Sequence, residues 1–82
     1  MNIPRIKHVE PQEGHILVVT FTNEERKKYD INHLLKREMF APLRNQAFFK
    51  NIHIESGGYA VSWNSELDIS EYELWQHGEN ML

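Results

Sequence analysis

Five histidines and twelve carboxylates are the side chains of this 82-residue sequence best suited to chemistry, and their spacing decides how far each set goes. Histidines and carboxylates can bind a metal without cysteine, but no two of His8, His15, His33, His53 and His77 stand one helical turn apart. They read as exposed or helix-terminal residues. Acid–base catalysis needs two carboxyl groups held in one cleft with their proton affinities pushed apart. Asp30 and Asp68 are the acids flanked by apolar neighbours on strand-like stretches. Each is expected to bind backbone amides where a strand gives way to a helix, as Asx side chains do. The nucleophile-elbow, phosphate-loop, dinucleotide and zinc-protease patterns are missing, and no cysteine supplies a thiol nucleophile, a thiolate metal site or a disulfide. We therefore expect no catalytic residue, no cofactor-binding residue and no metal ligand.

Two further sets suit binding. Arg26-Lys27-Lys28, with Lys36-Arg37 and the aromatic Tyr29, has the composition of a nucleic-acid patch. A strand cannot show three consecutive residues on one face, the net charge is −3, and no second helix stands at helix-turn-helix spacing. These bases read as a solvated sheet edge, and nucleic acid is not the expected partner. Tyr59, Trp63, Tyr72 and Trp75 crowd the last third of the chain. Trp63 follows the strand parity of Tyr59 and Val61 and should be buried with them. Tyr72 and Trp75 lie three apart on a short helix whose inner side already holds Leu74, so one of them should be exposed. Beside Glu71 and Glu73, an exposed aromatic has the composition of an interface anchor; Glu71, Tyr72, Glu73 and Trp75 are the candidate interface.

Charge is divided unevenly along the chain. The first fifty residues hold all nine Lys and Arg against six acids, a net of +3, whereas Asn51 to Leu82 holds six acids and no base, a net of −6. Folding that interleaves the halves would cancel this; otherwise the second half presents an acidic face suited to a basic partner protein.

The elements that must position these residues follow from alternation and turn chemistry. Arg5 to Glu10 reads as a short strand stopped by the turn Pro11 to Gly14. His15 to Phe21 and Arg26 to Ile31 form a hairpin, for which a two-residue loop at Asn23-Glu24 is expected, setting Val18 opposite Tyr29 and Ile16 opposite Ile31. Asn32 and Asn45 are expected to cap two short helical turns, the second burying Ala47, Phe48 and Phe49 together with Leu43, while Pro42 keeps the two apart. Ile52 to Glu55 and Tyr59 to Trp63 make a second hairpin about Ser56-Gly57-Gly58, and Leu67-Asp68-Ile69 adds an edge strand. Ser70 and Glu73 form a capping box with Ile69 and Leu74 as its hydrophobic staple; Glu71 to His77 should be helical, Gly78 its left-handed cap and 79–82 a frayed tail. The order βββ-α-ββ(β)-α predicts an α+β fold, a curved antiparallel sheet with helices packed on one side.

Residues 1–82 are of a length for one domain, with one core and little stability to spare, which makes a homo-oligomer or a partner a reasonable expectation. No apolar run approaches the roughly 18 residues of a membrane span, and Met1 to Lys7 lacks the features of a signal peptide. A cytoplasmic protein with no membrane partner is expected.

Taken together, the hairpin His15 to Ile31, the run Phe40-Ala41-Pro42-Leu43-Arg44 followed by Phe48 or Phe49, and the ending Trp63-Asn64, Leu67-Asp68-Ile69-Ser70 and Leu74 resemble a small bacterial family, domain of unknown function 2442. The sequence departs from the usual family pattern at Glu24 in the hairpin turn and at Ser65-Glu66 after Trp63. The resemblance implies an α+β domain with no established activity; some relatives carry a helix-turn-helix domain, lacking here, and others resemble the antitoxin-like member of a two-gene pair. It implies a non-catalytic protein-interaction module whose acidic C-terminal segment masks a basic, neighbour-encoded protein. The rival readings are a small-ligand-binding or transcription-related regulatory domain and, third, an enzyme.

Overall fold

The first three strands carry the densest run of β-branched and aromatic residues, and they pair as a meander. The computed structural model describes residues 3–81. Strands β1 (Ile6–Gln12), β2 (Ile16–Phe21) and β3 (Arg26–Asp30) form one antiparallel sheet, which β7 (Glu79–Asn80) extends beside β3 in the order β1-β2-β3-β7. In the β2–β3 turn the amide of Phe21 donates to the Glu25 carbonyl at 2.9 Å and the amide of Glu24 donates to that of Phe21 at 2.9 Å. The loop therefore has three residues, and Glu24 takes the left-handed conformation at φ 72° where glycine is the usual choice. This corrects the two-residue expectation and flips the register: Leu17 faces Tyr29, and Ile16 faces Asp30. Leu17, Val19 and Phe21 point to the core, while Val18, between Glu10 and Lys28 in register, is buried on the other face.

Beyond β3 the chain turns in short helical pieces. Asp30 Oδ1 accepts from the backbone amide of Asn32 at 2.8 Å, the Asx role expected of it. Asn32 is not a cap. It is the first residue of a 3₁₀ turn, Asn32–Leu34, and its side chain donates to Asp30 and to the Gly14 carbonyl, tying this corner to the β1–β2 turn. A second 3₁₀ segment, Glu38–Arg44, accommodates Pro42, and α1 (Gln46–Phe49) is capped by Asn45, whose side chain accepts from the Phe48 amide. Leu43 and Phe49 are buried and Phe48 half-buried as expected, but Ala47 faces solvent, because four helical residues present too narrow an inner side to include it.

Strands β4 (His53–Ile54), β5 (Ala60–Ser62) and β6 (Asp68–Ser70) form a second antiparallel sheet in that order. The expected single curved sheet is thus two, within the α+β fold that the order of elements predicts. Gly58, at φ 76°, lies so close to β1 that a Cβ there would sit 2.5 Å from the Ile6 carbonyl oxygen. Tyr59 follows it in helical conformation, so strand alternation starts only at Ala60: Val61 and Trp63 are buried, but Tyr59 is 54% exposed, contrary to the shared face expected. The indole of Trp63 donates to the Phe49 carbonyl at 2.8 Å, joining the second sheet to α1.

Helix α2 (Glu71–His77) starts on Ser70, whose hydroxyl accepts from the Glu73 amide at 3.1 Å, with Ile69 and Leu74 buried as the staple requires. Gly78 is not a left-handed cap. Its φ of −72° is ordinary, and glycine is needed for space: a Cβ would meet the Leu74 carbonyl oxygen at 2.5 Å and the Lys27 Cβ at 3.0 Å. That close passage brings the chain back onto β3, so Glu79–Asn80 is a strand rather than the start of a frayed tail, with the Met81 amide donating to the Arg26 carbonyl. Leu82 lies outside the described residues.

Candidate functional site

At 100° per residue, the seven residues of α2 divide into three faces. Glu71, Leu74 and Trp75 turn inward, Tyr72 and Gln76 outward, and Glu73 and His77 toward a cleft beside β6. The four candidate interface residues are therefore not one patch. Glu71 is held by Arg5, Nη1 to Oε2 3.2 Å, and the Arg5 guanidinium lies 4.1 Å from the centre of the Tyr59 ring. Trp75 is half-buried, edge-on to Phe21 at 5.1 Å, with the Lys27 ammonium 4.0 Å from its ring centre. Tyr72, 56% exposed, is the member of the Tyr72–Trp75 pair that faces solvent.

Lys27 explains part of this arrangement. Its side chain is buried in the sheet and its ammonium donates to the Trp75 carbonyl at 2.5 Å, satisfying a helix-terminal acceptor where the helix dipole favours a cation. The run Arg26-Lys27-Lys28 accordingly does not form a continuous basic patch.

The cleft that receives Glu73 has a volume of about 620 Å³. Its apolar lining comes from Leu34, Phe40 and Ile69, and its polar lining from Tyr29, His33, Arg37, Asp68, Ser70, Glu73 and His77. Tyr29, at the end of β3, donates its hydroxyl to Glu73 Oε2 at 2.7 Å and lies 3.4 Å from His33 Nε2; Glu73 Oε1 is 3.9 Å from His77 Nε2. Burial pushes the Tyr29 phenol well above its ordinary range, and the hydrogen bond to Glu73 pushes it further. The phenol is therefore a fixed donor that holds the Glu73 side chain toward β3, and of the capping box only the half from the Glu73 amide to the Ser70 hydroxyl is formed. Asp68 carries no backbone-binding role like that of Asp30; it sits exposed at the cleft.

A second polar cluster resembles a hydrolase triad only in composition. Ser62 Oγ lies 2.8 Å from His53 Nε2 and donates to Glu55 Oε2. A hydroxyl that donates to Glu55 must accept from His53, and an imidazole giving its proton to the serine is not placed to remove one. Ser62 is also only 2% exposed. Among the described residues no group of three or more His, Asp or Glu could hold a metal ion, and no helix is long and apolar enough to cross a membrane.

The cleft is not legible in the sequence because five separate elements build it. The signal that was available is the alternation of β3, which sends Tyr29 to the same side as the buried Lys27.

The strand order and the cleft define a small α+β domain with antiparallel sheets and a polar-rimmed groove at the edge of the second. The family model described as protein of unknown function (DUF2442) matches residues 6–80, nearly the whole chain, which belongs to that family. No curated protein and no solved structure matches it.

Proposed function

We propose that the chain is a non-catalytic protein-interaction module, the antitoxin-like member of a two-gene pair in the cytoplasm of a bacterium, and that it masks a basic partner protein. The observation that carries this reading is the fate of the six acids after residue 50. Among the described residues only Glu71 meets a lysine or arginine, so the fold leaves most of the acidic segment unneutralised. Glu66, Asp68 and Glu79 are exposed and make no ion pair among those residues, although Glu79 stands opposite Lys28 in the β3–β7 ladder. Beside Glu66 a shallow groove is lined by Met39, Pro42 and Leu67, and Met39 is 64% exposed, an apolar anchor next to the charge. The loop presenting Glu66 is held by Asn64, whose Oδ1 accepts from the amides of Glu66 and Leu67 at 2.8 and 2.9 Å.

The test is co-expression with the adjacent gene's product, for the wild type and for the variant carrying Glu66→Lys, Asp68→Lys and Glu79→Lys. Co-purification lost in the variant with an unchanged melting temperature supports the reading; undiminished co-purification removes it. A second reading, a small-ligand-binding regulatory domain, draws on the cleft at Tyr29, whose volume falls in the range of small-molecule sites. Self-association, the alternative use of a small domain's surface, is read in the same preparation by light scattering.

A further inference from the structure

The cleft has one property that its side chains do not express: it borders an unpaired strand edge. The amide of Trp63 donates to the Leu67 carbonyl and the amide of Glu71 to the Tyr59 carbonyl, so the hydrogen-bonded pairs of the β5–β6 ladder fall on the odd residues of β6. The backbone groups of Asp68 and the amide of Ser70 then point away from β5. None has a hydrogen-bond partner among the described residues. Asp68, Ile69 and Ser70 all line the cleft although successive side chains of a strand point to opposite faces, which means that the edge itself opens into it.

The geometry points to this cleft as the binding site for an extended peptide segment of a partner, which adds as a further strand to the free edge of β6 and sets a lysine or arginine against Asp68. This deepens the reading above, on which it rests, by naming the part of a basic protein that the acidic face takes. Pairing with Asp68 supplies one donor and one acceptor from its backbone, and Ser70 supplies a further donor. The peptide residue directly opposite Asp68 places its side chain on the same face as the Asp68 carboxylate, where an opposite charge is favoured. Among the lining residues Arg37 alone carries a permanent positive charge, against the carboxylates of Asp68 and Glu73. A second copy of this chain suits the edge poorly: antiparallel pairing through Asp68 would set two Asp68 carboxylates opposite each other.

The test uses the full chain and a panel of blocked seven-residue peptides of alternating Thr and Val with Lys, Arg, Glu or Ala at the centre. Binding is followed by amide hydrogen exchange and by titration. The Lys and Arg peptides should bind, and the exchange of the Asp68 amide should slow in the complex. Asp68→Asn, which keeps the amide, weakens binding. Asp68→Pro, which removes an amide that the β5 ladder does not use, weakens it by at least about a further tenfold. Failure of every peptide to bind, binding with an unchanged Asp68 amide, or an Asp68 amide protected by self-association overturns the proposal. Peptide binding without co-purification of the neighbouring gene's product removes the two-gene reading and leaves the strand-binding cleft; co-purification with no strand pairing at Asp68 does the reverse.

Discussion

Tyr29 and Lys27 are adjacent-but-one residues of β3 that reach the same helix, and they do so with different chemistry. Tyr29 donates a hydrogen bond to Glu73 near the start of α2, and Lys27 donates one to the Trp75 carbonyl near its end. Tyr29→Phe should cost about 1 kcal/mol, less than a buried bond to a charged group because Glu73 keeps solvent contact. A thermal melt should then show a fall of about 4–8 °C. The same phenol makes stability fall in strong base. Its folded-state affinity for the proton is raised above the ordinary value of 10.0, so the folded form holds a proton that the unfolded chain loses. The contribution is complete below pH 10.0 and is lost as pH rises above it, a loss that Tyr29→Phe abolishes in urea titrations. Asp30 behaves in the opposite sense: the Asn32 amide holds its carboxyl below the ordinary range, so its contribution is present above pH 3.8 and lost as pH falls. Lys27→Met keeps the apolar stem but leaves the Trp75 carbonyl without its donor and its ring without the cation, and should cost about 1–3 kcal/mol by urea denaturation.

The elements show what the residue order can and cannot reveal. Strands β1 to β3, the Gly57-Gly58 turn, the Asn45 cap and the Ser70 start of α2 were legible because each rests on a local pattern: alternation, a residue tolerant of positive φ, or an oxygen placed to accept from an amide two or three residues on. The register of β2 against β3 was not, because it turns on Glu24 adopting a conformation that favours glycine. Nor was the role of Gly78, which is decided by Lys27 of a distant strand rather than by its own dihedral angles. Gly78→Ala therefore should not stabilise the helix end, as removal of a flexible residue would. The added methyl has nowhere to go against the Leu74 carbonyl, so the cost should be about 1–3 kcal/mol. The amides of Glu79 and Met81, which face β3 in the ladder, should lose hydrogen-exchange protection before any others in the sheet. The cleft was the least legible feature. Its walls come from β3, two 3₁₀ segments, β6 and α2, and no window of sequence holds more than a part of it.

For the molecule as a whole, the division of charge along the chain survives folding in modified form. The early bases are partly consumed inside, with Lys27 on a helix end and Arg5 on Tyr59 and Glu71, and Arg44 donates to the Leu35 carbonyl. The late acids are mostly left outside, with Asp68 on the open edge of β6, Glu66 in the loop before it and Glu79 on β7 of the other sheet. Of the expected interface residues, Tyr72 keeps a free surface, whereas Trp75 serves the core, so Trp75→Ala would confound binding with folding. The proposed binding of a basic partner rests on the charge of these acids. It is tested most directly by titrating the purified chain with its co-expressed partner across a series of salt concentrations. Affinity should fall steadily as salt rises, and the slope should be shallower for the Glu66→Lys, Asp68→Lys, Glu79→Lys variant. Affinity unchanged by salt, or the same slope for both proteins, would contradict it.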